Sequence, residues 1–348
     1  MNSKKTAILQ AILAAVCYGI SSPLSKILLE KIPPAFMAAL LYLGAGLGMA
    51  IVNAMLGIHN KPKEATLTKK ELPYTIGMII LDIAAPIFLM FGLSMTSATN
   101  VSLLGNFEIV ATAVIALFFF KEAVGKRMWI AIVLITISSI ILSVQDFGNL
   151  SFSLGSIFVL LGCIFWGLEN NCTRMLSLKN PLQIVIVKGL GSGLGALVIA
   201  FALSEYSVNI GYIALALVLG FIAYGLSIFF YIHAQRHLGA ARTSAYYAFA
   251  PFIGVGLSFV VFSQSITLSF GIALAIMIIG ACFAVFEKHE HRHIHEALEH
   301  EHRHNHNDDH HDHTHDFPLE SEHNHIHAHE DITHVHGHTP DFHHTHTH

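Results

Sequence analysis

The apolar part of this chain is written twice. Pro34, followed by Gly44, Gly46 and Gly48, is matched by Pro181, followed by Gly191, Gly193 and Gly195, at one constant offset. Upstream, Tyr18-Gly19 is matched by Trp166-Gly167; downstream, Ser102, Phe107 and Phe120 are matched by Ser244, Phe249 and Phe262. A chain that repeats its apolar segments is expected to fold as two related units. An odd number of membrane crossings in each unit sets the second upside down relative to the first. Inverted pairs of this kind build many secondary transporters, in which two halves rock about a shared central site. The repeat alone therefore favours a carrier.

The crossings can be counted. A helix needs about 20 apolar residues to span a bilayer at about 1.5 Å rise per residue. Ten such stretches are expected, near 7–29, 35–57, 72–94, 99–120, 127–145, 152–173, 181–203, 209–232, 240–262 and 267–287. The fourth and ninth carry polar residues near their starts, as helices packed deep inside a bundle do. Of the 348 residues 53% are hydrophobic and only 12% charged, about half the charge of an ordinary soluble domain. The expected fold is an all-α membrane protein of ten transmembrane helices in two inverted five-helix repeats. The division reads 1–146, 147–288 and a His-rich low-complexity tail at 289–348.

Basic residues fall on alternate connections. Lys4 and Lys5, then Lys61, Lys63, Lys69 and Lys70, then Lys121, Lys126 and Arg127, then Arg174 and Lys179, then Arg236 and Arg242 all belong to one side. The other side has Lys31 and the span-end Lys26, with otherwise uncharged or acidic linkers such as Gln145-Asp146 and Glu205. The positive-inside rule places the N-terminus in the cytoplasm, and ten crossings return the C-terminus there. Lys4 and Lys5 before an apolar run imitate a signal peptide, but the run is long and reads as an uncleaved first span. The expected location is the cytoplasmic membrane of a prokaryote. Cys17, Cys163, Cys172 and Cys282 all lie within spans and read as packing residues.

Two five-span halves, short loops, the aromatic-Gly pairs and the Phe-x-x-x-Glu ending of the fourth span (Phe118 to Glu122) together resemble the EamA-type branch of the drug/metabolite transporter superfamily. The resemblance covers about 7–287. It implies a carrier, often an exporter, of amino acids, metabolites or toxic organic compounds, with a cavity lined by the first, third and fourth spans of each half. The second half departs from the first where Phe262-Ser-Gln264 replaces Lys121-Glu122.

An ionised side chain at the bilayer centre costs at least about 2.5–3.5 kcal/mol and normally faces a cavity or a partner. Asp82, Glu108, Glu169 and Lys188 stand out on that ground. Asp82 and Glu108 sit near mid-depth in spans the resemblance assigns to the cavity, so either is a candidate for carrying a coupling proton. The alternative is that they pair with Lys188 or are hydrogen-bonded within the bundle. Glu169-Asn170-Asn171 also reads as an interfacial helix end. Tyr246 and Tyr247, ahead of Pro251, offer ring faces and hydroxyls to an organic substrate, or simply pack. The glycine strings match small-xxx-small spacing, which lets helix backbones approach closely. Gly191 to Ala196 also fits a loose dinucleotide fingerprint, but that motif needs a preceding strand. No catalytic motif is found, so an enzyme is not expected, and no nucleic-acid partner is implied.

From His289 the composition changes. Of 26 His in the chain, only His59, His233 and His237 precede the tail. Its polar alternation lacks core-forming residues and predicts disorder or transient helix in the cytoplasm. Neutral imidazole is a good ligand for Zn, Ni or Co, and no other cofactor is implied. His291 and His295, or His300 and His304, are four apart and share a helix face; His334, His336 and His338 alternate as on an extended chain. Three functions compete: an organic-solute carrier with a metal-binding tail, a divalent-metal carrier whose tail collects or senses cargo, and a membrane-anchored metal sensor. The first is favoured, because the spans hold scattered carboxylates and no His pair at mid-depth. The lipid bilayer and a small-molecule substrate are the other implied partners, and a homodimer is allowed.

Overall fold

The computed structural model describes residues 3–57, 66–120, 124–146, 151–176, 179–238, 243, 246–263, 266–285, 289–295, 299–304, 323–328 and 332–338. Lys61, Lys63, Lys121, Glu122, Arg242, Ser244, Gln264 and His59 lie outside them.

The bundle is built from helices. In the first repeat they are α1 (Ser3–Gly19), α2 (Ser21–Leu28), α3 (Pro34–Gly57), α4 (Leu72–Met95), α5 (Ala98–Leu104), α6 (Phe107–Phe120) and α7 (Lys126–Ser143). In the second they are α8 (Leu154–Arg174), α9 (Pro181–Ala202), α10 (Ile210–Gly220), α11 (Ser227–Leu238), α12 (Ala250–Phe262) and α13 (Leu268–Val285). Side chains cap several starts by accepting a backbone N–H that no carbonyl reaches. Ser97 accepts from Asn100, Ser153 from Ser156, Asn180 from Gln183 and Asn209 from Tyr212. Among the described residues nine helical segments are long and apolar enough to cross a membrane, and Ala250–Phe262 is a shorter apolar helix. The start of the expected ninth span lies partly outside the described residues; of those described there, 246–247 are helical and Ala248-Phe249 form a turn before α12. Pro251 lies in the first turn of α12, where its missing N–H leaves no intrahelical bond unmade.

Contacts between the repeats follow an inverted two-fold. α3 packs on its counterpart α9 and α7 on its counterpart α13. α4 packs on α8, as α1 packs on α11; α6 packs on α8, as α12 packs on α1. The glycines fit this plan. A Cβ on Gly46 would lie 2.6 Å from the Leu190 nitrogen of α9, and one on the matching Gly193 would lie 2.7 Å from the Leu43 nitrogen of α3. Gly19 meets the Ala250 carbonyl oxygen at 2.7 Å, and Gly167 meets the Thr112 nitrogen at 2.9 Å. Every one of these close approaches is helix on helix, so the glycine strings are packing seams. Large apolar side chains such as Phe118, Phe119, Val260 and Leu268 cover the outside, a surface suited to lipid and costly in water.

Ionic and polar ties mark the two ends. At one, Lys179 pairs with Glu71 at 3.2 Å and the Leu67 N–H donates to Gln183 Oε1 at 3.0 Å. This is the end that carries the basic connections. At the other, the Ala35 N–H donates to Glu205 Oε2 at 2.7 Å, and Lys26 Nζ donates to the carbonyls of Leu93, Ser94 and Thr96. In the tail, His289–His295 pairs antiparallel with Ile332–His338 and Glu299–His304 with His323–Ala328. Each is a lone two-stranded pair among the described residues, an arrangement that is marginally stable in water.

Candidate functional site

The interior charges form a chain across the repeats. Lys188 of α9 places its Nζ 3.0 Å from Asp82 Oδ2 of α4 and 3.0 Å from Glu169 Oε1 of α8. Asp82 and Glu169 are buried almost completely, and 13% of the Lys188 side chain remains exposed. Charge at this depth is tolerable only when paired, because the desolvation of each ion must be offset by its neighbours. Tyr42 donates its hydroxyl to the other Asp82 oxygen, Oδ1, at 2.8 Å, and Thr173 donates to the same Glu169 Oε1 that Lys188 reaches. Trp166 in turn donates its indole N–H to the Tyr42 oxygen at 3.2 Å.

Glu108 stands apart from this bridge. It sits in the first turn of α6, where the helix dipole favours a carboxylate, and accepts from Asn170 Nδ2 at 2.7 Å. Asn170 also donates to Thr112 Oγ1 at 3.2 Å. Beside Glu108 runs a group of aromatic rings. Tyr224 contacts Tyr42 with ring centres 5.3 Å apart and Tyr18 at 6.0 Å; Tyr18 stacks on Tyr247 at 5.8 Å, and Tyr231 meets Tyr247 edge-on at 5.0 Å. Glu108 is near enough to interact electrostatically with Tyr18, Tyr224 and Tyr247. The middle of the bundle thus offers ring faces, hydroxyls and one carboxylate whose partner is neutral.

Three irregular segments of backbone converge here. The fourth span is interrupted between α5 and α6 at Gly105-Asn106, and the ninth is turned at Ala248-Phe249, just before α12. The offset that carries Phe107 onto Phe249 also carries Asn106 onto Ala248, so the interruptions are repeat-related, and α5 packs on α12. In the eighth span a single π-helical turn, Phe221–Leu226, separates α10 from α11 and carries Tyr224; such turns often mark functional positions. Asn106 is 2% exposed, its Nδ2 donates to the Leu103 carbonyl at 3.1 Å, and its Oδ1 has no hydrogen-bond partner.

The structure brings together three of the residues singled out from sequence, Asp82, Glu169 and Lys188, and sets Glu108 close by with a different partner. Glu169 and Asn171, near the end of α8, are 1% and 3% exposed: α8 continues to Arg174, and this segment packs on α4 and α6. Tyr246 and Tyr247 diverge. Tyr247 joins the ring group, whereas Tyr246 packs on Ala7, Ala11, Ala234 and Leu238. Tyr42, Trp166, Tyr224 and Asn170 enter the site without having been chosen as site residues. The repeat of Tyr18-Gly19 in Trp166-Gly167 pointed toward Trp166, and the Glu169-Asn170-Asn171 string toward Asn170. In the tail, His291 and His295 lie on one strand, His300 and His304 on another, and His334, His336 and His338 on a third. The backbone register sets His291 opposite His336 and His300 opposite His327. The four-residue spacing therefore lies on an extended chain, where it also returns to the same face. Among the described residues no group of three or more His, Cys, Asp or Glu is arranged to hold a metal ion.

The model of the EamA-like transporter family matches residues 5–144 and, a second time, 153–286. The chain is similar to an uncharacterized transporter of Methanothermobacter thermautotrophicus, with 24% identity over 286 residues that make up 77% of this chain and 83% of the relative. One crystal structure of a protein aligns with a TM-score of 0.57 at 15% identity, over 80% of this chain and 95% of that one. At that identity the likeness speaks for the fold.

Proposed function

The chain belongs to the EamA-like transporter family, and we propose that its cargo is a small organic solute, bound at mid-membrane and exported from the cell. The observation that carries this reading is the pair of repeat-related interruptions at Gly105-Asn106 and Ala248-Phe249. They lie beside Glu108 and a group of tyrosines. Discontinuous helices at a repeat interface are where carriers place their substrate sites, since the broken turns free backbone groups for binding. Aromatic faces and hydroxyls suit an organic molecule, and Glu108, held by the neutral Asn170, can exchange a proton as the site opens to either side. Both termini lie in the cytoplasm on this reading, at the end that carries the basic connections.

The tail adds divalent-metal binding through its alternating His, which buffers or senses metal and is not the carried cargo. Within the spans, Asp82 and Glu169 already share a cation in Lys188, which argues against an open metal path there.

The test compares small molecules released into the medium by a deletion strain carrying wild type, Glu108→Gln or an empty vector, at matched membrane levels of protein. The expected result is an organic solute released by wild type and not by Glu108→Gln. Identical release from all three would refute the reading.

A further inference from the structure

We propose that the bridge from Lys188 to Asp82 and Glu169 is a latch between the two repeats, closing the basic end of the bundle and opening once in each transport cycle. This rests on the carrier reading. Asp82 belongs to the first repeat, whereas Glu169 and Lys188 belong to the second, so any rocking of one repeat on the other works directly on the bridge. Position along each helix sets its depth. Glu169 is five residues from the last residue of α8, Arg174, and Lys188 is two turns into α9, which starts at Pro181. Both helix ends face the Lys179–Glu71 pair, so the latch lies in the basic-end half of the membrane.

The repeat supplies the counterpart. The offset that carries Ser102 onto Ser244 and Phe107 onto Phe249 also carries Asp82 onto Tyr224, and the offset relating Tyr18 to Trp166 carries Ser21 onto Glu169. The same offsets turn the close approach of Gly162 to the Ala85 carbonyl into the hydrogen bond from Ser227 to the Ala14 carbonyl, which the structure contains at 2.9 Å. Ser21 and Tyr224 do meet: the Ser21 hydroxyl donates to the Tyr224 oxygen at 3.4 Å. The three charges nearer the basic end therefore have a single long neutral hydrogen bond as their repeat counterpart. Tyr42 joins the two, donating to Asp82 while its ring touches Tyr224. A movement that releases one closure is felt by the other.

The readout is the native Cys172, one turn beyond Glu169 toward the basic end. Its sulfur lies 3.3 Å from where a Cβ on Gly77 of α4 would be, within the seam the latch holds shut. A membrane-impermeant maleimide is applied to the full-length protein in vesicles, from each side in turn and without cargo, and modification of Cys172 is followed by peptide mass spectrometry. Replacing the whole latch, Asp82→Asn with Glu169→Gln and Lys188→Met, leaves no unpaired charge. It should raise the labelling rate from the basic end by about tenfold or more, the scale of a coupling between sites. Tyr224→Phe removes only the opposite hydrogen bond and keeps the ring. It should lower Cys172 labelling by about two- to fivefold, the worth of one neutral hydrogen bond, because weakening the far closure stabilises the near one.

Opposite signs from the two variants support the latch. A rise in the triple variant with no change in Tyr224→Phe would show only local loosening of the seam and overturn the proposal, as would an unchanged rate in both. Should the triple variant fail to fold, Tyr224→Phe alone decides by whether the rate at Cys172 falls. No cargo enters the measurement, so a failed latch leaves solute release untouched, and a failed release experiment leaves the labelling result standing.

Discussion

Substituting the central glycines should cost the same in both repeats and nothing at glycines that face open space. A Cβ at Gly46 would sit 2.6 Å from the Leu190 nitrogen and 2.8 Å from the Gly189 carbonyl carbon; one at Gly193 would sit 2.7 Å from the Leu43 nitrogen. These neighbours are backbone and cannot rotate away, so α3 and α9 must part by roughly 0.7–0.8 Å to reach ordinary contact. Overpacking of this kind costs about 1–3 kcal/mol. Against it stands the gain of about 1 kcal/mol from putting Ala in place of Gly inside a helix. Gly46→Ala and Gly193→Ala should each lose up to about 2 kcal/mol. Gly256 has nothing within 4 Å of a new Cβ, and Gly271 only a methyl at 4.0 Å. Alanine at either should be neutral or stabilising by up to about 1 kcal/mol. Thermal unfolding of the purified protein in detergent, followed by loss of the monodisperse species, separates the two classes. Equal midpoints for Gly46→Ala and Gly256→Ala would refute the packing account. Unequal losses at Gly46 and Gly193 would refute the symmetry of the seam.

Lys26→Met removes the donor to the Leu93, Ser94 and Thr96 carbonyls at the end of α4. Water at the membrane surface replaces part of the loss, so the expected destabilisation is about 1 kcal/mol. Lys26→Arg should recover most of it, and equal midpoints for Met and Arg would show that the stem and not the charge matters. For the tail, deletion from His289 should leave a bundle that still inserts and unfolds with the midpoint of the full chain. An isolated tail peptide should bind Zn or Ni by calorimetry at neutral pH and lose that binding as pH falls through about 6.5, because imidazole must be deprotonated to coordinate. A peptide that binds no metal at neutral pH would remove metal from the account of this protein.

The crossings and their pairing were open to reading because hydropathy and repeated glycines are properties of single stretches of sequence. Asp82, Glu169 and Lys188 were also visible one at a time, since any charge inside an apolar span is costly. Pairing of Asp82 with Lys188 was one of two alternatives the sequence left open; that Glu169 joins them was not visible, because it depends on how α4, α8 and α9 cross. Those crossings are set by approaches such as Gly191 to Ile79 and Gly92 to the Gly155 carbonyl, which no spacing rule ties to a particular partner. Glu169 looked interfacial because it lies close to a helix end, but distance from an end fixes depth and leaves open what covers the residue. Tyr42 and Tyr224 gave no signal at all: a tyrosine in a span is chemically unremarkable until a carboxylate or a second ring stands beside it.

The repeat does carry information that single stretches lack, provided its departures are read as well as its matches. Where the two halves agree, as at Gly46 and Gly193, they specify a shared backbone packing. Where they differ, as at Asp82 against Tyr224 and Glu169 against Ser21, the backbone is held common and the chemistry is split. Two ends with the same packing and different charge cannot open at equal cost. A buried ionic bridge resists opening more than a hydrogen bond of 3.4 Å, because separating its partners leaves charge unpaired in a poor solvent. On the latch proposal the protein rests with its basic end shut, and a positive charge brought to Asp82 and Glu169 in place of Lys188, whether a proton or a cationic group on the cargo, would favour opening it.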